Sequence, residues 1–339
     1  MNRTSRYSLQ LVLLLFLILL LAILDISLGS VHIPFKQILR GLIDADSLSA
    51  QQEIILYDFR IPRVITALLA GSALSVSGLQ MQTIFRNPLA GPYVLGISSG
   101  ASLGAALVLL GTGAVATGIL AEWGIVAAAW LGSAAVMFIL LLVSIRIRSI
   151  MTILILGIMF SSGLSAIISI MQYFGNAVAL KSFVIWSLGS LGDVSGSSLN
   201  ILSITIIPGL LLSMFSVKGL NAMMLGEEQA GSLGVNIRAV RILVFINTSI
   251  LAGSITAFCG PIGFIGIAVP HITRFLTGKA DIRYLLPATI LVGMTVLLFS
   301  DIVSQLPGSD QMLPINAITS LIGIPVVIWV VISRRKTFN

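Results

Sequence analysis

The chain has 339 residues, of which 57% are hydrophobic and 9% are charged, and its mean hydropathy is +1.08. Apolar runs of about 20 residues recur along it, which indicates a polytopic helical membrane protein and excludes a soluble domain; because the runs do not alternate, a membrane β-barrel is also excluded. Membrane topology explains the net charge of +7 better than nucleic-acid binding does, and the single cysteine, Cys259, excludes a disulfide or a cysteine metal cluster.

The first apolar run, residues 9–29, predicts a leucine-rich spanning helix at the lipid-facing edge of the bundle. Basic residues precede it, as in a secretory signal peptide, but its length favours a retained span. Residues 30–59 are expected to form a polar loop. A second helix is predicted at 60–83, with Pro62 in its first turn, where the missing N–H costs nothing.

Small residues recur at helical spacing in the next two helices and predict close approach of neighbouring backbones. In the second helix the set is Ala67, Gly71, Ser75 and Gly78. After a helix break at residues 85–92, a third helix at 93–110 carries Gly96, Gly100 and Gly104. The glycines of both sets are therefore expected to be packing positions.

Seven further helices complete a predicted total of ten. They are expected at about 121–143, 151–173, 197–216, from after Arg241 to near Phe258, within 260–271, at 284–304 and at 314–332. The helix within 260–271 is short because glycines and prolines interrupt it. Residues 175–196 are expected to be a loop.

The segment 225–234 is polar and bracketed by glycines, so it cannot lie in lipid. Gly226 ends the preceding helix, and Gly234 supplies a left-handed stop. Two adjacent acids, Glu227 and Glu228, suit the positive start of a helix dipole. We therefore predict a short helix from Glu227 to Leu233, with an ordinary solvated loop as the alternative.

One face of this short helix is expected to press against another body. Ala230 and Leu233 are the small and apolar residues on that predicted face. The sequence alone does not identify the body.

Fourteen of the nineteen lysines and arginines fall on one side when the predicted spans alternate. The positive-inside rule then places both termini and the 227–233 helix in the cytoplasm of a multi-pass membrane protein.

Two parts of the chain echo one another. The units that begin at Arg60 and Arg238 each have an Arg-x-x-Arg start, a helix and a Gly-Pro break. They enter the membrane from opposite sides, which predicts inverted repeats at about 60–173 and 238–332, within one permease domain spanning 1–339. The segment at about 217–237 joins them.

Catalytic or metal-binding groupings are not recognisable in the sequence. His32 and His271 lie far apart, and no phosphate loop is present. His271 is expected at a helix end on the cytoplasmic surface. Asp25 and Asp301 fall near helix ends, whereas ion-coupled carriers place acids mid-span. A bundle without its own energy source needs a partner, and the 227–233 helix is the best handle.

Several motifs, in order over nearly the whole chain, resemble the FecCD/BtuC-like permeases of ATP-binding-cassette importers for iron chelates, haem and cobalamin. The matching strings are Arg60-Ile-Pro-Arg63, Asn87-Pro-Leu-Ala90, Leu95-Gly-Ile-Ser-Ser-Gly100, Leu225-Gly-Glu-Glu228, Ser232-Leu-Gly234, Gly260-Pro-Ile-Gly-Phe-Ile-Gly266, Val269-Pro-His271, Pro314-Ile-Asn316 and Gly323-Ile-Pro325. The resemblance implies an all-α, ten-helix type II importer permease in a bacterial cytoplasmic membrane.

The resemblance also implies partners. They are a second copy of the chain, two cytoplasmic ATPase subunits that bind ATP and Mg, and one extracytoplasmic binding protein. This chain is then a transport subunit in the lipid bilayer, not an enzyme, with no cofactor or metal and no nucleic acid. Coupling to the ATPase is implied for Leu225, Gly226, Glu227, Glu228, Ala230, Leu233 and Gly234.

Two more sets of residues take roles from the resemblance. Arg60 and Arg63 would dock the binding protein, together with a third position where the family has arginine and this chain has Gln305. Asn87 and Leu89 would narrow the cytoplasmic mouth. The simpler alternatives are that the arginines are interfacial anchors and that Asn87 forms a turn beside a proline.

Competing functions remain at this point. An ion-coupled secondary transporter also fits inverted repeats and broken helices, and an intramembrane enzyme lacks a candidate catalytic group. Nothing in the sequence selects ferric siderophore, haem or cobalamin as the substrate.

Overall fold

A computed structural model describes residues 3–29, 31, 33–43, 48–111, 119–147, 149–305 and 312–335. All regular structure within these ranges is helical. In chain order the α-helices are α1 Arg3–Ser27, α2 Phe35–Ile43, α3 Ala50–Ile54, α4 Ile61–Ile84, α5 Ile97–Leu109, α6 Ile119–Arg146, α7 Ile150–Phe174, α8 Ala177–Leu188, α9 Gly196–Met224, α10 Glu227–Ser232, α11 Ile237–Cys259, α12 Ile265–Thr277, α13 Ile282–Ser304 and α14 Ile315–Arg335. His32 lies outside the described residues.

Seven helical segments are long and apolar enough to cross a membrane, and they contain α1, α4, α6, α7, α9, α11 and α13. The helices α5, α12 and α14 coincide with the other three predicted helices, and α8 is a further short apolar helix that was not predicted. The all-α fold class is therefore confirmed. Helix α9 extends to Met224, so it continues beyond the predicted end at 216 and leads directly into α10.

The predicted polar loop at 30–59 is wrong for much of its length. Residues 50–84 form one continuous helical segment, in which the π-helical turn Ile55–Arg60 joins α3 to α4. Ser49 starts it with a capping box, and Leu56 is fully buried. The π turn is wider than an α-helical turn and directly precedes Pro62. It therefore relieves the clash between the proline ring and the preceding turn, and the helical segment continues past the proline.

The predicted loop at 175–196 is also wrong, because it contains α8. The Asn176 side chain caps α8 by accepting a hydrogen bond from the Ala179 amide at 2.8 Å. Ala179 and Phe183 are buried in a small apolar cluster shared with α5 and α7. The helix ends at Gly189, which has a φ of +74°. Apolar composition and an N-cap therefore decide the local structure between the bracketing glycines.

Helix α4 is the centre of the bundle. In the helical segment 50–84 that contains it, 83% of the most apolar part is buried. Close packing depends on glycine here. A Cβ on Gly71 would lie 2.3 Å from the Gly293 carbonyl oxygen of α13, and one on Gly78 would lie 1.8 Å from the Gly266 carbonyl oxygen of α12. Both distances are far below van der Waals contact, so α4 meets α12 and α13 backbone to backbone.

Helices α5 and α6 meet in the same way. A Cβ on Gly100 would lie 2.5 Å from the Gly132 carbonyl oxygen, and one on Gly104 would lie 2.0 Å from that of Ala128. Gly96 differs from the prediction, because it lies before α5 with a φ of +77° and links that helix to the 3₁₀ turn Pro92–Leu95. It allows a left-handed backbone at the break, and it is also a close-packing position, because a Cβ there would lie 3.1 Å from Ser161 Oγ.

The two predicted repeats have matching helix lengths. Helices α4 and α5 have 24 and 13 residues, and α11 and α12 have 23 and 13. Their breaks meet inside the bundle, where the Tyr93 hydroxyl donates to the Ile262 carbonyl and accepts from the Ile262 amide at 2.9 Å. These features support the inverted-repeat hypothesis.

Candidate functional site

The predicted short helix is present as α10, bracketed by glycines. Gly226 precedes it with a φ of +119°, and Gly234 follows it with a φ of +80°. Both values are in the region that favours glycine, so α10 begins and ends where the sequence predicts. The segment lies at one end of the bundle, here called the α10 end.

The side chains of this segment divide into an inner and an outer set. Ala230 is fully buried in the main core, whereas Leu225 and Leu233 are 62% and 65% exposed. Glu228 is exposed beside them. The expectation that Ala230 and Leu233 share one contact face is therefore wrong, because Leu233 is the C-cap and turns away from the bundle. We call Leu225, Glu228 and Leu233 the coupling surface.

Glu227 fastens α10 to the bundle. Its carboxylate accepts a 2.7 Å hydrogen bond from Arg241 Nη2 on α11, and the Arg241 side chain is 7% exposed. The two adjacent acids therefore do different things: Glu227 makes an internal ion pair, and Glu228 remains on the surface.

A tight turn at 85–90, here called the inner turn, lies next to α10. Asn87 shapes it: its side-chain oxygen accepts from the Leu89 amide at 2.9 Å, and its carbonyl accepts from the Ala90 amide at 3.1 Å. Leu89 is 42% exposed. A Cβ on Gly226 would lie 3.6 Å from Arg86 Nη1, so the inner turn and the start of α10 are neighbours. The turn-forming role of Asn87 is confirmed, and a gating role remains a prediction.

The prediction that His271 lies at a helix end on the surface is wrong. This residue lies within α12, is 7% exposed, and its Nε2 is 2.8 Å from the Pro88 carbonyl oxygen of the inner turn. Within the described residues there is no group of three or more His, Cys, Asp or Glu side chains suited to a metal ion.

A second charged feature at the α10 end is the start of α13. Asp281 caps this helix and accepts hydrogen bonds from Arg283 Nη2 and Asn221 Nδ2, both at 2.7 Å. The hydrogen bonds from Arg283 lower the pKa of Asp281 to about 2. The Asn221 side chain also accepts from the Ile282 amide at 2.9 Å, which joins α9 to α13.

The opposite end of the bundle carries an ion pair between helices α4 and α13. Arg63 Nε and Nη2 each donate to Asp301 at 2.7 Å in a bidentate arrangement, and Nη2 also donates to Ser304 at 3.2 Å. Asp301 is fully buried. The sequence places Asp301 correctly near a helix end but gives no sign of this pairing across 238 positions.

Neighbouring polar residues tie α1 into the same cluster. The Gln305 amide donates to Asp25 and reaches Asp301 at 3.4 Å, and the second Asp25 oxygen has no hydrogen-bond partner among the residues that the structure describes. Arg60 donates to the Ile26 carbonyl at 2.8 Å and to the Val31 carbonyl. The three predicted docking residues are therefore together, but their side chains bind within the chain and are not held out for a partner.

A cavity of about 650 Å³ opens beside this cluster. Arg60, Arg63, Asp301 and Gln305 contribute polar lining, while Trp186 and Met312 contribute apolar lining. The cluster therefore forms part of the lining of a cavity at this end of the bundle.

Two polar features inside the spans were missed from the sequence. Gln80, Ser213, Ser216 and Asn247 form a fully buried network that joins α4, α9 and α11, with Asn247 Nδ2 donating to Gln80 at 3.1 Å and to Ser213 at 2.8 Å. The spacing of isolated polar residues on separate helices does not reveal that they meet.

The second feature is an exposed hydroxyl stripe on α7. Ser162, Ser165 and Ser169 lie on one helical face and are all exposed. Ser162 and Ser169 donate to carbonyls one turn back at 3.1 and 2.9 Å. Only 22% of the most apolar part of this helix is buried, so the stripe is not covered by the described residues of this chain.

Comparison with known proteins gives consistent matches over the full fold. A family model described as the FecCD transport family matches residues 15–333. The hemin transport system permease protein HmuU of Yersinia pestis is 35% identical over 337 residues, 99% of each chain. The vitamin B12 import system permease protein BtuC of Klebsiella pneumoniae is 37% identical over 289 residues, 85% of each chain. A solved metal-chelate type ABC transporter in an inward-facing conformation has a TM-score of 0.81 at 29% identity, covering 96% of this chain and 99% of that one.

Proposed function

The chain belongs to the FecCD transport family and is the membrane permease of an ATP-binding-cassette importer, and we propose that it carries a metal chelate into the cytoplasm through a pathway between two copies of itself. In this proposal the α10 end is cytoplasmic, as are both termini. A separate ATPase binds ATP and Mg, and an extracytoplasmic protein delivers the substrate.

The exposed coupling surface is the observation that carries the proposal. Two leucines more than 60% exposed flank an exposed carboxylate on a short helix outside the apolar core. Apolar anchors surrounded by polar residues are typical of protein contacts. Because Glu227 and Ala230 hold α10 against α11 and the core, a force applied to the coupling surface reaches the bundle rather than being lost in a flexible loop.

The hydroxyl stripe on α7 supports a pathway at the interface of two copies. Ser162 and Ser169 donate to carbonyls of their own helix and so tolerate lipid, but their oxygens can still accept hydrogen bonds and therefore also suit a wetted passage for a polar-rimmed substrate. A second copy that faces this stripe would enclose the passage, and a homodimer is the simplest assembly that does so.

The substrate class follows from the relatives. One is a hemin permease and another a vitamin B12 permease, at similar identities to this chain. Both cargoes are bulky metal complexes of macrocyclic rings. We therefore propose a chelate of this kind, or a ferric chelate of similar bulk, as the transported molecule.

The opposite end is proposed as the delivery face. Arg60, Arg63 and Gln305 act there by shaping the cavity, since their side chains are bound internally. Direct docking would require Arg63 to leave the buried Asp301 and Arg60 to leave two carbonyls, so backbone and rim contacts around the cavity are the favoured docking elements.

Uptake by membrane vesicles tests this function. Labelled hemin, cobalamin and a ferric chelate would be supplied, together with the binding protein, to the outside of right-side-out vesicles. These vesicles contain the chain with its copurified ATPase facing the lumen. We expect accumulation of one cargo that requires ATP and persists when the membrane potential is discharged. Accumulation without ATP that collapses with the potential would instead identify an ion-coupled secondary transporter.

A charge reversal with a matched control tests the coupling surface. Glu228→Arg is expected to weaken association with the ATPase. Glu53→Arg makes the same charge change at an exposed site at the other end and should leave association unchanged. Equal retention of the ATPase by both variants would contradict the assignment.

A further inference from the structure

We propose that His271 is a positioning residue that fastens the inner turn to α12, so that a movement of α10 reaches the second half of the bundle through this turn. The inference rests on the proposed coupling through α10. It adds a residue outside the coupling surface and a contact route that begins at α10.

The route starts where the inner turn lies beside the start of α10. Arg86 Nη1 is close to Gly226, the residue from which α10 starts, at 3.6 Å from the position that a Cβ there would occupy. Arg86 also has a φ of +48°, a left-handed conformation that non-glycine residues rarely adopt. Such a conformation persists only where surrounding contacts hold it, and the contacts of Asn87 and Pro88 do so.

The route continues with a contact that joins the inner turn to α12. The Pro88 carbonyl can only accept a hydrogen bond, so His271 Nε2, at 2.8 Å, must carry the hydrogen. Because His271 is 7% exposed, water cannot readily replace this bond. The imidazole therefore fixes the distance between the turn and α12.

Two further contacts secure the same face of α12 to the end of α4. Gln82 Nε2 donates to the Ile267 carbonyl at 3.0 Å, and Arg274 Nη1 donates to Gln82 Oε1 at 2.6 Å. Residues 267, 271 and 274 follow one another at four- and three-residue spacing, so they lie on one helical face. The turn and the end of α4 are consequently held to α12 at successive positions.

The route therefore runs through neighbouring groups: Arg86 lies beside the start of α10, the turn is shaped by Asn87, and Pro88 is held by His271. A displacement of α10 pushes a turn that is not free to deform independently of α12. Loss of the His271 bond would let the turn move without carrying α12 along.

Two amide substitutions of His271 test whether the hydrogen bond to Pro88, rather than the presence of a polar side chain, is what matters. The longer amide, His271→Gln, places a side-chain nitrogen near the position of Nε2, whereas the shorter one, His271→Asn, places it near Nδ1 and too far from Pro88. Both variants keep a polar, hydrogen-bonding side chain. We expect His271→Gln to retain coupling and His271→Asn to lose it.

The readout is labelling of Leu89→Cys by a membrane-impermeant fluorescent maleimide, in the permease purified with its ATPase. The native Cys259 is buried and does not compete. We expect trapping of the nucleotide-bound state to change the labelling rate by about threefold or more, and this change to survive His271→Gln but not His271→Asn. The ATP hydrolysed per molecule of cargo should rise only in the Asn variant.

Equal behaviour of the two amide variants would overturn the proposal, as would a labelling rate that nucleotide trapping never alters. Copurification of the ATPase keeps this test separate from the proposed function, because the coupling surface is intact in every variant. If the unsubstituted chain failed to retain an ATPase, the proposed coupling through α10 would be wrong. Normal ATPase retention with indifferent His271 variants would remove only the positioning role.

Discussion

The ion pair between Arg63 and Asp301 provides a quantitative test of how the bundle is held together. Both Asp301 oxygens accept hydrogen bonds at 2.7 Å from one guanidinium, and the Asp301 side chain is 1% exposed. Removing one partner of such a buried pair costs about 3–5 kcal/mol, because the other charge is left desolvated. Since the Arg63 side chain keeps 13% exposure, we expect Asp301→Asn to lower the free energy of unfolding by about 3 kcal/mol, the lower end of that range.

The assay uses the chain's own cysteine. Cys259 is buried, so a thiol-reactive dye reports unfolding during a denaturant titration in detergent. Ser304→Ala is the mild control and should cost about 1 kcal/mol, because it removes the 3.2 Å hydrogen bond from Arg63 and the hydroxyl's donation to Asp301 but leaves the ion pair in place. The double replacement of Arg63 by Met and Asp301 by Leu should recover most of the loss, because an apolar pair often replaces a buried ion pair without penalty. A loss below about 1 kcal/mol for Asp301→Asn would refute this reasoning, since exposed pairs behave that way.

Three other substitutions have directions set by the structure. Gly78→Ala should destabilise by about 1–3 kcal/mol, measured by the same dye assay, because its Cβ would meet a backbone oxygen. Gly124→Ala should not destabilise, because no described atom lies within 4 Å of that Cβ. Asp25→Asn should not lower the unfolding temperature, because a carboxylate oxygen with no hydrogen-bond partner in the described part of the chain gives way to a neutral amide; a marked decrease would show that the negative charge is needed. Asp281 has a pKa lowered to about 2 by Arg283, so its contribution to stability is present above its ordinary pKa near 3.8 and is lost as the pH falls toward 2. Asp281→Asn should flatten unfolding temperature against pH in that window only, and an unchanged profile would contradict the assignment.

Most of the long helices could be predicted from the sequence, because a spanning helix needs only a sustained apolar run. Helix α10 could also be predicted, since Gly226 and Gly234 mark backbone positions that other residues avoid. The prediction was wrong around Leu56 and around Phe183. The stretch around Leu56 has too few apolar residues to distinguish it from a loop, and the stretch around Phe183 is short and bordered by glycines. Tertiary burial of those two side chains decides the structure there.

The candidate sites were predicted less completely than the helices. Glycine spacing correctly places Gly71 and Gly78 at close contacts, but it cannot identify which backbone each one meets. The roles of Glu227 and Glu228 differ because only Glu227 faces Arg241, and that depends on how α10 sits against α11. Long-range pairings of this kind leave no local pattern in the chain.

Association with the ATPase is the measurement that tests the central claim most directly. The triple substitution Leu225→Ser, Glu228→Arg and Leu233→Ser removes the coupling surface without touching the Glu227 ion pair or the buried Ala230. The account predicts a folded permease, by its dye-detected unfolding temperature, that no longer retains the ATPase and no longer accumulates cargo. Undiminished ATPase retention and uphill uptake by this folded variant would contradict it.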